Sequence, residues 1–357
     1  MTGGEANNYF KTIQHIAPSR YYATLNCALQ EVFCVSGIQG MLPESPNTYF
    51  GKVAHRLLET ASNGQTSEDQ LEQIWESILK SEERSLQETG FAKHLVPLKN
   101  NVRLYEVKKR LVFKTAVTLI SRKGHHVSPV QSRSEFNLSS SNGLINGVVD
   151  RLTYSSNGCE IIDYKTGEVI DKVTSKVKQS YQYQMKLYAS SYYTKFGEWP
   201  ISLRIQTLSG LSHEIRYTPQ ECIQLLKQAE YLIERINRTI TTSQNTNEIE
   251  EQLGNPSPAN CVNCTYRHQC KPYWNRRAIS RRDDWPNDVQ GMYIDVQHLG
   301  NNKGLLKLLW KGSMIKIRGL DLERHNISAG SLICAYGLLR DDVAHSYSEG
   351  LLTTIYS

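Results

Sequence analysis

Two aspartates and a lysine stand out on a stretch from Asn142 to Gly167 that reads as two strands around a tight turn. Leu144 to Tyr154 and Cys159 to Tyr164 are rich in apolar and β-branched residues, and Ser155 to Gly158 is turn chemistry. Asp150 falls in the first strand. Asp163 and Lys165 lie two residues apart in the second, so strand alternation sends both side chains to one face. Buried charges persist when they neutralise one another or hold a cation. Hard oxygen ligands suit Mg2+ or Mn2+, and a lysine beside them can position or deprotonate a water.

Three other spacings have chemical potential. Gly51, His55 and Glu59 recur every fourth residue, hence on one helix face, and Gln184 and Tyr188 are one helical turn apart. Cys261, Cys264 and Cys270 form C-x2-C-x5-C. Zinc is the first generic ligand for such a knuckle, with His268 available as a fourth donor. Taken singly, each has a plainer meaning: a structural histidine, an ordinary polar pair, a small buried thiol.

The elements that position these residues follow from periodicity. Ser19 can cap a helix carrying SRYYATLNCALQEVFC, which includes Cys27 and Cys34. Phe50, Val53, Leu57 and Leu58 have helical spacing around His55. Residues 66–122 read as mainly helical, with Lys108, Lys109, Arg110 and Lys114 on a basic stretch that is either a solvated face or a phosphate contact. Glu135 opens the sheet. A helix carries Gln184 and Tyr188, two short strands follow over 201–217, and a helix starts at Thr218 with Pro219 and Glu221 as capping signals. Residues 241–258 read as a linker, and from Asp283 short alternating runs suggest a small barrel, best matched to an OB-like fold.

In this order the residues resemble the PD-(D/E)XK nucleases, especially the RecB-like branch. Gly-Val-Val-Asp150 followed by Ile-Ile-Asp163-Tyr-Lys165 is similar to that family's core. The resemblance implies an α/β restriction-endonuclease-like fold, a central mixed sheet flanked by helices. It assigns His55, Asp150, Asp163 and the backbone carbonyl of Tyr164 to one or two Mg2+ or Mn2+ ions, and Lys165 to the nucleophile. Gln184 and Tyr188 would border the site and contact DNA, Glu59 would pair or orient, and Glu135 is a marginal site residue. It also implies a [4Fe–4S] cluster on Cys27, Cys261, Cys264 and Cys270, with Cys34 as a substitute for Cys27 and zinc as the alternative metal. Ala28 stands where the family often has proline. The resemblance spans about residues 18–275. The domains expected are a loose 1–18, a nuclease domain at 19–282 and a barrel at 283–357.

Composition sets the remaining bounds. The 357 residues are 39% hydrophobic and 21% charged, and the net charge of +6 is compatible with a polyanionic partner without requiring one. There is no run of about twenty apolar residues, and the first residues lack a signal peptide's apolar core, so a cytoplasmic protein with no membrane partner is expected. The expected activity is phosphodiester hydrolysis of single-stranded DNA or duplex ends, by an exonuclease of repair, recombination or antiviral defence. The alternative is a non-catalytic DNA-binding or scaffold subunit. No P-loop is present, so a helicase, ATPase or defence-complex partner would be a separate chain.

Overall fold

The alternating residues between 131 and 165 form three consecutive antiparallel strands in the computed structural model of the protein: β1 (Gln131–Ser139), β2 (Asn146–Ser155) and β3 (Gly158–Lys165). The structure describes residues 9–63, 66–124, 131–280 and 284–357. The chain divides into two units. Met1–Ile38, Pro46–Ser85 and Leu98–Gly254 make the first; Gln39–Ser45, Leu86–Pro97 and Asn255–Ser357 make the second. Among the described residues no helix is long and apolar enough to cross a membrane.

In the first unit, β4 (Ser202–Thr207) runs parallel to β3 and β5 (Ser212–Glu214) antiparallel to β4, giving a mixed sheet ordered β1-β2-β3-β4-β5. Ahead of the sheet come α1 (Pro18–Asn26), α2 (Ala28–Val35), α3 (Pro46–Asn63), α4 (Leu71–Glu88), α5 (Leu98–Asn101) and α6 (Tyr105–Gly124). A parallel pair requires a crossover, and α7 (Gln179–Phe196) provides it between β3 and β4. α8 (Pro219–Thr242) and α9 (Thr246–Leu253) follow. The expected central mixed sheet with flanking helices is present.

The core explains how α3 and α7 are held. Met185, Tyr188, Ala189 and Tyr192 of α7 pack against Val149, Leu152, Ile161, Leu203 and Ile205 of the strands. On α3, Phe50, Val53, Leu57 and Leu58 are buried as their spacing predicts, and Phe50 meets Trp75 and Tyr105 in an aromatic cluster. Gly51 faces the end of β3: a Cβ there would lie 2.9 Å from Thr166 Oγ1, so a larger residue would have to displace that hydroxyl or the helix. Gly147 does the same for α1, since its Cβ would fall 2.6 Å from Pro18 Cδ.

Several local expectations change. The first helix begins one residue early, with Pro18 at its first position and Ala17 as an N-cap that makes no side-chain bond. It also breaks at Cys27, whose extended backbone (φ −154°, ψ 96°) separates α1 from α2. Of the segment expected to be loose, residues 1–8 lie outside those described, but Phe10, Ile13 and Ile16 are buried. Ile16 bridges Ile145, and Asn237 exchanges bonds with the backbone of Ile13 at 2.7 and 2.8 Å. Part of the expected linker is α9, capped by Asn245 and seated through buried Ile249 and Leu253. The capping box of Thr218 and Glu221 on α8 is present as predicted.

The second unit contains α10 (Pro258–Cys261), α11 (Lys271–Ile279), β6 (Val289–Gly300), β7 (Lys303–Trp310), β8 (Ser313–Asp321), β9 (Leu332–Tyr336), β10 (Leu339–Arg340), β11 (Ser346–Ser348) and β12 (Thr354–Tyr356). Two-residue turns, Asn301-Asn302 and Lys311-Gly312, join β6 to β7 and β7 to β8 with positive φ at both positions, the twist such hairpins favour. The strand order is β10-β11-β8-β7-β6-β9-β12. Seven strands are paired in a line in which, among the described residues, β10 and β12 stand at the two ends. Leu306, Leu308, Ile317, Ile333 and Ala335 form its core.

A charged network within this unit gives a pH prediction. Glu349 accepts from His325 (2.8 Å), Arg324 (3.0 Å) and the Asp321 amide (2.8 Å). Burial would raise the Glu349 carboxyl, but these donors outweigh it and hold it down at about 2. Burial and then the Arg324 charge push His94 down to about 4. Both groups therefore take up protons more readily when unfolded. Stability from His94 is complete above about 6.5 and is lost as pH falls toward 4; that from Glu349 is complete above about 4.5 and is lost toward 2. The expected loss is on the order of 1 kcal/mol from each once solvent screening is allowed for. Thermal unfolding followed between pH 7 and 2 should show a falling midpoint, which His94→Asn flattens above about pH 4 and Glu349→Gln flattens below about pH 4.5.

Candidate active site

The backbone ladder between β2 and β3 runs from Ser155 and Gly158 to Arg151 and Ile162. One residue beyond, Asp150 takes the Tyr164 amide on its Oδ2 at 2.7 Å, so its carboxylate fixes the strands where the ladder stops. Asp163 is only 3% exposed. Its Oδ2 lies 2.8 Å from Lys165 Nζ, and its Oδ1 accepts from Gln184 Nε2 at 2.7 Å. α3 brings His55 Nδ1 to 3.9 Å from Asp150 Oδ2. The imidazole, both acids and the amine thus meet in one place, as their order predicts.

The remaining expected residues have distinct placements. Gln184 and Tyr188 are buried and turn inward, Tyr188 donating to the Val148 carbonyl at 2.7 Å. They hold the hairpin from behind, Gln184 through Asp163 and Tyr188 through the Val148 carbonyl. Glu135 occupies the β1 position opposite Asp150, with φ 50° in an otherwise extended strand. Its carboxyl is raised by burial and then by the nearby charge of Glu59. Sequence reasoning missed Tyr181, whose ring lies 5.0 Å from Lys165 Nζ. Its place one turn before Gln184 was the available signal.

Electrostatics define what this cluster can do. Burial, then repulsion from Asp163, raises the Asp150 carboxyl against the opposing Tyr164 bond and Lys165 charge. Burial works to lower Lys165, but attraction and a hydrogen bond from Asp163 win and raise it, so it is an ammonium at neutral pH. Burial lowers His55 despite the pull of Asp163, leaving a neutral imidazole with a lone pair. Among the described residues, Asp150, Asp163 and Glu135 lie around the ammonium of Lys165. Excess negative charge, hard oxygens and a neutral imidazole fit a divalent cation in donor type. Among the described residues, however, no three His, Cys, Asp or Glu side chains form a ready cage for a metal ion.

The family model of the PD-(D/E)XK nuclease superfamily matches residues 15–271. The chain belongs to this superfamily. No curated protein matches it. Nucleases of the PD-(D/E)XK superfamily act on DNA and generally use divalent metals such as Mg2+, which agrees with the charge imbalance around Asp150.

The knuckle of this PD-(D/E)XK chain is built around Arg267. Its Nη1 donates to the carbonyls of Cys261 (2.9 Å) and Cys264 (2.7 Å), while its Nε reaches Asp288 Oδ2 at 2.6 Å. A buried cation among these carbonyls holds the loop. His268 is turned onto Tyr336, at 2.9 Å from its hydroxyl, and onto the ring of Tyr356. Cys34 accepts from Arg20 at 2.9 Å. No disulfide joins any of the cysteines.

Gln184 supplies a test of positioning. Gln184→Ala removes the donor on Asp163 Oδ1 and should lower kcat about tenfold with little change in KM. The Mg2+ concentration for half-maximal rate should rise by about tenfold or more, as it does when the partner that orients a metal ligand is lost. Unchanged metal dependence would show that Gln184 serves packing alone.

Proposed function

We propose that this PD-(D/E)XK protein is a RecB-like, metal-dependent deoxyribonuclease that hydrolyses single-stranded DNA or duplex ends as an exonuclease, in DNA repair, recombination or antiviral defence. The convergence of His55, Asp150, Asp163 and Lys165 carries the reading. A scaffold subunit has no need for both acids and the amine. His55, Asp150, Asp163 and the Tyr164 carbonyl would hold Mg2+ or Mn2+, which when bound neutralises phosphate charge and acidifies water. Lys165, charged and fixed by Asp163, orients the incoming nucleophile and stabilises charge on the phosphoryl oxygens. Gln184 and Tyr188 keep the hairpin rigid while this happens.

The sequence resemblance also supports a [4Fe–4S] cluster on Cys27, Cys261, Cys264 and Cys270, with zinc as the second candidate; four thiolates suit the former, and the loop ordered by Arg267 is prepared for anionic sulfur. Purified protein given labelled single-stranded DNA should cleave it with Mg2+ or Mn2+ and stop on chelation, and a paired blunt duplex should react more slowly than a frayed one. Absorption near about 400 nm, lost in Cys264→Ser, marks iron–sulfur. Absence of cleavage with either metal would leave the scaffold reading.

A further inference from the structure

Three of the five tryptophans, Trp274, Trp285 and Trp310, line one cavity in the second unit. α11 supplies Trp274 and Arg277, the end of β7 and its turn supply Trp310 and Lys311, and β10 and β11 supply Arg340 and Tyr347. The cavity has a volume of about 460 Å³, within the range of small-ligand sites. Trp285 is buried, whereas Trp274, Trp310 and Tyr347 keep part of their surface open.

Two chemistries meet on its wall. The aromatic groups offer flat apolar faces, and Lys311 Nζ lies 5.6 Å from the Trp310 ring centroid, so a cation sits beside a stacking surface. Arg277 is fixed by donating from Nε (3.0 Å) and Nη2 (2.6 Å) to the Asp288 carbonyl. Among the described lining residues Asp288 is the one acid, and its carboxylate is already taken by Arg267, Tyr273 and the Gly337 amide. The wall therefore has surplus positive charge next to indole. A flat group joined to an anion matches both features, and a nucleotide is that combination.

We propose that this cavity binds one nucleotide of a single strand, its base against the tryptophans and its phosphate against Lys311 and Arg277. The chemistry indicates a nucleotide; the choice of a strand over a free nucleotide rests on the proposed nuclease reading. The site would add a second nucleic-acid contact to the one at the carboxylates.

Tryptophan fluorescence reads it directly. Full-length Lys165→Ala protein without added divalent ion is titrated with oligothymidylate of about ten residues, inside the usual range for such grooves. Saturable quenching is expected. Trp310→Ala should weaken binding about tenfold or more, with thermal unfolding checked alongside, and the exposed Lys311→Gln should weaken it and reduce the slope of log affinity against log salt by about 1. No quenching, or wild-type affinity in both variants, overturns the proposal. Thymidine monophosphate binding as tightly as the oligomer overturns the strand in favour of a free nucleotide. Cleavage is read separately, with Mg2+ on the wild-type chain, so the nuclease reading and this site can fail independently.

Discussion

Lys165→Ala lowers the cleavage rate of labelled single-stranded DNA by about 10²–10³-fold or more, the loss expected when a charged donor to a developing oxyanion is removed from a water-poor site. The expectation has two sources. The ammonium disappears from beside the phosphoryl oxygens, and Asp163, with its Oδ2 now facing no cation at 2.8 Å, repels the same phosphate. Lys165→Gln restores neither effect and should be as slow. Mg2+-dependent thermal stabilisation should persist or increase, because the competing cation is gone from Asp163 while both acids remain. Cleavage within tenfold of wild type would remove Lys165 from the chemistry and with it the assigned site.

Much of this site was legible because the residues that form it interrupt strong patterns. Charged residues inside an apolar hairpin announce Asp150, Asp163 and Lys165, and a helix of clear period places His55 on a fixed face. What the sequence concealed depends on tertiary contact. Cys27 breaks a continuous helical pattern, and nothing in its neighbours predicts an extended backbone there. Phe10, Ile13 and Ile16 have no usable period, yet they are buried because Ile145 and Asn237 receive that segment. α9 was hidden by polar composition although Asn245, Glu248, Ile249 and Leu253 carry a cap and a spaced apolar pair. The tryptophan cavity gathers Trp274, Trp285 and Trp310 from an α-helix, a loop and a strand end, a grouping that no local spacing encodes. Tight turns read correctly as turns, but the order in which β6 to β12 pair was not written in them.

Asp150→Asn should abolish cleavage, by about 10³-fold, and at the same time stabilise the protein without metal. The two signs have one cause. Asp150 is partly buried, near Asp163 and Glu135, and repulsion outweighs the balancing charge of Lys165, so the folded state bears repulsion that the unfolded chain does not. An asparagine has nearly the same shape, its carbonyl oxygen can still accept from the Tyr164 amide, and it carries no charge. Relief on the order of 1–2 kcal/mol is expected, raising the unfolding midpoint by about 2–4 °C per kcal/mol for a unit of this size. Added Mg2+ should reverse the ranking: it stabilises the wild type by filling the space that the repulsion keeps open, and it should leave Asp150→Asn nearly unmoved. A variant that is inactive but less stable than the wild type without metal would show that the protein's own groups already satisfy the Asp150 charge, and the case for a cation between these acids would fall with it.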